Sequence, residues 1–287
     1  MKEIVVLSGK GGTGKTTIVA SLAALAKNKV LCDCDVDAAD LHLLLKPKAK
    51  ETHEFRSGQT AIIDEKLCTR CSLCEEVCRF EAIKDLKVDL TACEGCGFCA
   101  HVCPENAITM KENLAGHWFV SDTKYGPLVH ARLGIAQENS GKLVNVVRQN
   151  ARKIAEKEKA DYIITDGPPG IGCPVISSLS GANLVLLVTE PTLSALHDLE
   201  RVIGVCRHFG VPPLVCINKY DLNEENTHRI GSFCQEQGVE VISRIPFDKL
   251  VTEALVNSMP VVEYSQTGVA NHIETMWHRV HKSLGKE

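Results

Sequence analysis

The sequence predicts an α/β fold: a mostly parallel sheet covered by helices and interrupted by a small cysteine-rich insert. Three observations carry this. Short, unbroken apolar runs recur at residues 4–7, 162–165, 184–188 and 213–217, the mark of strands buried on both faces. Helical patterns separate them, as in successive β-α-β units. Eight of the fourteen cysteines crowd between Cys68 and Cys103, where the composition changes completely. Residues 1–59 and 113–287 therefore read as two parts of one domain, with residues 60–112 inserted.

In chain order, the run 4–7 is a strand that breaks into a glycine-rich loop, and residues 18–27 form a helix, apolar through Ala26. Residues 30–32 are a second strand, ending in Asp33-Cys34-Asp35-Val36-Asp37. Residues 41–45 read as a short helix closed by Pro47. Residues 46–59 are polar and lack a period, which predicts a connector. After the insert, 118–120 and 128–131 return as strands. Residues 141–158 form a helix with Leu143, Val146, Val147, Ile154 and Ala155 on one side. The strand 162–165 runs into Asp166-Gly-Pro-Pro-Gly-Ile-Gly172. Strands follow at 184–188, 213–217 and 239–245, and a last helix begins near Ala270. Its stripe of Ile273, Met276, Trp277, Val280 and Leu284, with Arg279 and Lys282 beside it, fits packing on its own domain or an interfacial helix on a membrane.

A chain of 287 residues can bury a sizeable core, and 44% apolar and 24% charged residues are ordinary for a globular protein. A net charge of −4 gives no electrostatic reason to expect nucleic acid. No apolar stretch reaches transmembrane length, so membrane contact is not expected. The N-terminus runs directly into the first strand, leaving no room for a secretory leader, and the expected compartment is the cytoplasm. In a reducing compartment, clustered cysteines point to metal rather than disulfides. The other six, Cys32, Cys34, Cys173, Cys206, Cys216 and Cys234, lie mostly in apolar runs and read as small core residues.

The loop carries the first chemistry. Gly9, Gly14, Lys15 and Thr16 satisfy G-x-x-x-x-G-K-[ST] between a strand and a helix, the pattern of a phosphate-binding loop. Glycines let backbone N–H groups turn onto phosphate oxygens, and the helix aims its positive end at the same place. Lys15 would neutralise the β and γ phosphates, and the Thr16 hydroxyl would join a Mg²⁺ shell. The whole stretch Gly9-Lys10-Gly11-Gly12-Thr13-Gly14-Lys15-Thr16-Thr17 is assigned to nucleotide binding.

The cysteines carry the second. Cys68, Cys71, Cys74 and Cys78 are spaced C-x2-C-x2-C-x3-C, and Cys93, Cys96, Cys99 and Cys103 repeat that spacing, with Pro104 following. The segments Phe80-Glu-Ala-Ile83 and Glu105-Asn-Ala-Ile108 occupy equivalent places, as in an internal repeat. This is similar to the bacterial two-cluster ferredoxin pattern, in which each set gives its fourth thiolate to the other cluster. The resemblance implies one [4Fe–4S] cluster on Cys68, Cys71, Cys74 and Cys103, and a second on Cys93, Cys96, Cys99 and Cys78. Arg79 stands where the common pattern has proline, which removes no ligand. Zinc also takes four thiolates, but its modules separate two C-x2-C pairs by a longer spacer. Such clusters serve either as an electron wire or as staples for a domain too small to hold itself.

Lys10 gives the phosphate loop a second lysine, and K-G-G-T-G-K-T resembles the deviant Walker A of the MinD/ParA/Mrp superfamily of ATPases. The resemblance covers essentially the whole chain: a P-loop ATPase of that superfamily interrupted by a small α+β two-cluster ferredoxin-like domain. In that group the extra lysine contacts the nucleotide of a partner subunit, which implies that role for Lys10 and an ATP-dependent homodimer or a heterodimer with a paralogue. Asp33-x-Asp35 resembles switch I, implying that Asp35 orients the attacking water beside Mg²⁺; Asp37 and Asp40 match less well. Asp166 resembles the switch II aspartate that holds Mg²⁺ through water, with Gly167 and Gly170 freeing the loop to move. Asn218 and the Pro246-Phe-Asp248 loop resemble the adenine contacts. Asn218-Lys219-Tyr-Asp221 also reads N-K-x-D, through which GTPases select guanine, so GTP stays open beside ATP.

Three functions follow from the resemblance. The first is an ATP-gated redox protein acting on an unidentified redox partner. Its nearest analogue, the nitrogenase iron protein, binds a bridging cluster through interface cysteines in a pattern absent here, and Cys173 is the one loose candidate for such a ligand. The second is Mrp-like cluster assembly or delivery to a cluster-accepting protein, though no C-x-x-C follows Cys103. The third is MinD-like positioning on a surface.

Overall fold

The computed structural model describes residues 1–134 and 139–285. The strands are β1 (Lys2–Ser8), β2 (Lys29–Asp33), β3 (Lys48–Ile63), β4 (Ile83–Lys84), β5 (Lys87–Val88), β6 (Ile108–Thr123), β7 (Gly126–Leu133), β8 (Tyr162–Pro169), β9 (Leu184–Thr189), β10 (Pro213–Asn218) and β11 (Glu240–Ile245). The helices are α1 (Lys15–Leu25), α2 (Leu41–Leu45), α3 (Leu73–Glu76), α4 (Phe98–Val102), α5 (Ser140–Lys157), α6 (Cys173–Leu179), α7 (Leu193–His208), α8 (Glu224–Glu236), α9 (Lys249–Val256), α10 (Val261–Tyr264) and α11 (Val269–Ser283). Among the described residues, nine strands form one sheet in the order β11-β10-β9-β1-β8-β2-β7-β6-β3. From β11 through to the β2–β7 pair, neighbours run parallel.

The chain divides into two compact units. The first comprises Met1–Thr52, Trp118–Arg132 and the described residues of Ser140–Glu287. Its central strand shows why the apolar runs are unbroken. Ile4 and Val6 point into one buried cluster with α1 and α11, while Val5 and Leu7 point into another with α7 and Cys234 of α8. A strand with a core on each face has no polar side to show. Glu3, at the start of β1, is buried and accepts from Arg148 Nε and Arg152 Nε of α5, each at 2.9 Å. The same two guanidiniums reach the carbonyls of Ser177 and Ser180 at the end of α6.

The second unit comprises His53–His117 with the described residues of Leu133–Asn139. It holds all eight clustered cysteines and extends beyond the 60–112 insert expected from sequence. Its core is small: Ala61, Cys74, Ile83, Cys99 and Ile108, with Leu86, Val88 and Met110 packed against them. The β4–β5 hairpin turns through Asp85 and Leu86, both at positive φ, and Glu75 holds the turn by accepting from Leu86 N at 2.8 Å.

Two expectations need correction, the connector and the burial of Cys173. Residues 46–59 are no connector: most of them lie in β3, a sixteen-residue strand at the edge of the sheet. Its side chains are largely exposed, so no apolar period betrays a strand held by backbone pairing. Of the two uses open to the stripe of the last helix, packing on its own domain is the one found: Ile273, Met276, Trp277, Val280 and Leu284 are all buried in the core beside β11 and α1. No helix among the described residues is long and apolar enough to cross a membrane. Five of the scattered cysteines are buried, but Cys173 is exposed at the first residue of α6.

Candidate functional site

The ends of β1, β8, β9 and β10 lie side by side, and the loops leaving them converge, as expected at the carboxyl edge of a parallel sheet. Between Ser8 and Lys15 the chain must turn twice in small space. Gly14 caps α1 at φ 91°, and a Cβ there would lie 2.4 Å from Asn218 Nδ2. A Cβ on Gly9 would lie 2.4 Å from Asp198 Cβ on α7. Neither place admits a larger residue. Ser8 Oγ donates to the Lys10 carbonyl at 2.8 Å, Asn218 Nδ2 to that of Thr13 at 2.8 Å, and Lys219 Nζ to that of Gly12 at 3.2 Å. With its carbonyls tied back, the loop keeps N–H groups free for phosphate oxygens. Thr16 and Thr17, in the first turn of α1, are half-buried.

Lys15 is buried and clamped, 2.8 Å from Asp166 Oδ1 and 3.3 Å from Asp35 Oδ2. Burial works against its charge, but Asp166, Asp35 and Asp33 outweigh that and raise its pKa. Asp35 is pushed up by burial and by Asp166, against the pull of Lys15. Asp33 is raised further, first by burial and then by Asp166; its Oδ1 accepts from Asp35 N at 3.1 Å while Oδ2 has no protein partner. Three carboxyls thus surround one ammonium. A divalent cation would be welcome there, since it would relieve the excess acid groups that Lys15 alone cannot balance.

On the other side of the loop, Lys10 Nζ pairs with Glu190 Oε1 at 2.7 Å and reaches Thr192 Oγ1 and Ser194 Oγ, each at 3.3 Å. Glu190 Oε2 also lies 3.4 Å from Lys219 Nζ. Sequence reasoning assigned no role to Glu190, Thr192 or Ser194. They meet Lys10 because β9 lies next to β1, and no local pattern announces that adjacency.

A cavity of about 250 Å³ opens from the phosphate loop, lined by Gly12, Gly14, Thr17, Asn218, Pro246, Phe247 and Asp248 among others. Three of the four expected base-contacting residues therefore border it. The fourth, Asp221, is not in its lining; its carboxylate accepts from Phe247 N at 2.6 Å. Asp248 has a second task, capping α9 through Leu250 N at 2.9 Å.

The cysteine-rich unit holds two cavities of its own. One is lined by Cys68, Cys71, Cys74 and Cys103, the other by Cys78, Cys93, Cys96 and Cys99. The fourth cysteine of each sequence set is treated alike: Cys78 Sγ accepts from Ala82 N and Cys103 Sγ from Ala107 N, both at 3.3 Å. Among the described residues, no three His, Cys, Asp or Glu side chains converge tightly enough for a single metal ion. Four soft thiol donors around each cavity are the donor set that a [4Fe–4S] cluster would take.

Comparison with known proteins places this architecture. Residues 4–261 match the model of the CobQ/CobB/MinD/ParA nucleotide binding domain. An uncharacterized protein of Methanocaldococcus jannaschii is 33% identical, over 97% of this chain and 96% of its own. The septum site-determining protein MinD of Bacillus subtilis is 24% identical, over 91% of this chain and 81% of its own. Among solved structures, the MinD of Pyrococcus horikoshii complexed with Mg-ADP superposes with a TM-score of 0.60 at 21% identity, covering 99% of this chain and 97% of that one. That likeness is one of fold.

Proposed function

The chain belongs to the CobQ/CobB/MinD/ParA nucleotide-binding family, and on that premise we propose that it is a MinD/ParA-type ATPase whose closing on a second copy is coupled to electron transfer through two [4Fe–4S] clusters. The observation that carries the redox half is the sorting of eight thiols into two cavities, four to each. A cluster bound in such a quartet supplies a one-electron store whose potential answers to nearby charge and hydrogen bonds.

On the nucleotide side, the loop N–H groups bind the phosphates and Lys15 turns from its two aspartates to the β and γ oxygens. Thr16, with Asp166 and Asp35, is the set that would hold Mg²⁺, which would offset charge on the phosphates. Asp35, freed from Lys15, orients the attacking water. Asn218, Pro246 and Asp248 border the base. Adenine is preferred to guanine because Asp221, the residue that would read guanine, spends its carboxylate on the Phe247 amide. Lys10 reaches across to the nucleotide of the second copy.

Two measurements test the proposal together. Anaerobically purified protein carries iron and acid-labile sulfide, and its reduced EPR spectrum or midpoint potential moves when Mg-ATP is added. Material without iron ends the redox half; an unmoved spectrum ends the coupling. A second reading, surface positioning, draws on the MinD relatives. ATP-dependent sedimentation with liposomes would favour it, although the apolar stripe of α11 is already used in the core.

A further inference from the structure

We propose that Glu190 is a latch on Lys10: in the nucleotide-free chain it holds the lysine folded against its own subunit, and its release sets the ATP threshold for pairing with a second copy. The inference rests on the reading that Lys10 acts across a dimer.

The geometry is one carboxylate serving two cations. Glu190 Oε1 takes Lys10 at 2.7 Å, and Oε2 takes Lys219 at 3.4 Å. The ammonium of Lys10 is completed by the hydroxyls of Thr192 and Ser194, so its donors are engaged within its own chain. The turn that presents Glu190 is stiff: Pro191 follows it, Thr192 N donates to the Glu190 carbonyl at 2.8 Å, and Thr192 Oγ1 caps α7 by accepting from Ala195 N at 3.1 Å.

Without Glu190 this is a poor place for a lysine. The start of α7, a helix of sixteen residues, presents the positive end of its dipole there, and Lys219 adds a like charge. The carboxylate alone makes the site attractive. Burial works against its charge, yet Lys10 and Lys219 hold Glu190 below the usual carboxylate range. Lys10 and Glu190 are nonetheless not sealed in: their side chains are 31% and 18% exposed. A pair this open separates when a stronger anion, such as a triphosphate on a second copy, is offered. Glu190 is therefore a positioning residue that acts through Lys10.

The test uses the full chain and Glu190→Gln, which keeps the shape and removes the charge. Without nucleotide, acylation of Lys10 by a water-soluble amine reagent, read by peptide mass spectrometry, should quicken severalfold in the variant. In light scattering against ATP, the half-point for dimer formation should fall about two- to fivefold, the scale of a partly exposed ion pair. In a Lys10→Ala background the substitution should change nothing further. If wild type dimerises with ATP and Glu190→Gln leaves both the half-point and Lys10 acylation unmoved, or raises the half-point, the latch is overturned while the dimer reading stands. If wild type stays monomeric at saturating Mg-ATP, the dimer reading falls and the latch falls with it.

Discussion

At the scale of single residues, the phosphate-loop site is a set of charges paired with one another. Asp35 is tied to Lys15 at 3.3 Å, so its proposed work on water begins only when the lysine leaves. Asp35→Ala should keep ATP affinity within a few-fold and lower turnover by roughly 10²–10⁴-fold, the worth of a positioned acid or base; steady-state hydrolysis beside nucleotide titration checks this. His130, on β7 beside β2, is a second pH probe. Burial, with His42 and Arg132, lowers its pKa to about 4, while Ser121 Oγ lies 3.0 Å from its Nε2 and Phe119 stacks on the ring. The folded state holds the ring neutral where the unfolded chain, near 6.5, would protonate it. Its contribution is thus present above pH 6.5 and is lost as pH falls toward 4. In His130→Phe that part of the acid slope should vanish from denaturant melts across the window. That Lys15, Asp35 and Asp166 would meet was legible as a motif because a strand, a loop and a helix keep them near in sequence or at strand ends. Glu190 was not, because its partner is brought to it by sheet order alone.

At the scale of elements, α5 is bolted to the sheet by charge as well as by its apolar face. Glu3 and Arg148 are both nearly inaccessible, with side chains 5% and 3% exposed, and Arg152 shares the carboxylate. Glu3→Ala would strand a buried guanidinium and should cost roughly 3–5 kcal/mol in urea unfolding. Glu3→Gln should cost less, since it keeps an acceptor. The central strands were readable because both their faces are core. The edge strand β3 was not: its stability lies in backbone hydrogen bonds, which leave no trace in side-chain hydrophobicity. The exposure of Cys173 was missed for the opposite reason, because an apolar neighbourhood in sequence does not say which side of a helix start meets solvent.

At the scale of the molecule, the chain joins a large core that folds on apolar surface to a cysteine-rich unit whose own core is slight. If the proposed clusters are bound, a unit that small would gain much of its order from them. Iron chelation under anaerobic conditions should therefore loosen residues 53–117 selectively, with faster amide exchange there and little change in the strands around β1. Cysteine spacing alone sorts the eight thiols into two sequence sets of four, and the two cavities exchange the last member of each set, the crossed grouping that the ferredoxin resemblance implies. The spacing could not say how small the surrounding core is. Cys103 closes the pocket begun by the first repeat, and Cys78 closes the pocket begun by the second. Each repeat is a lock whose last tumbler sits in the other, so half the module cannot be cut away and leave a working half behind. Were the pockets filled as proposed, loading one would draw the chain toward the shape its twin requires, and damage to either repeat would be felt by both.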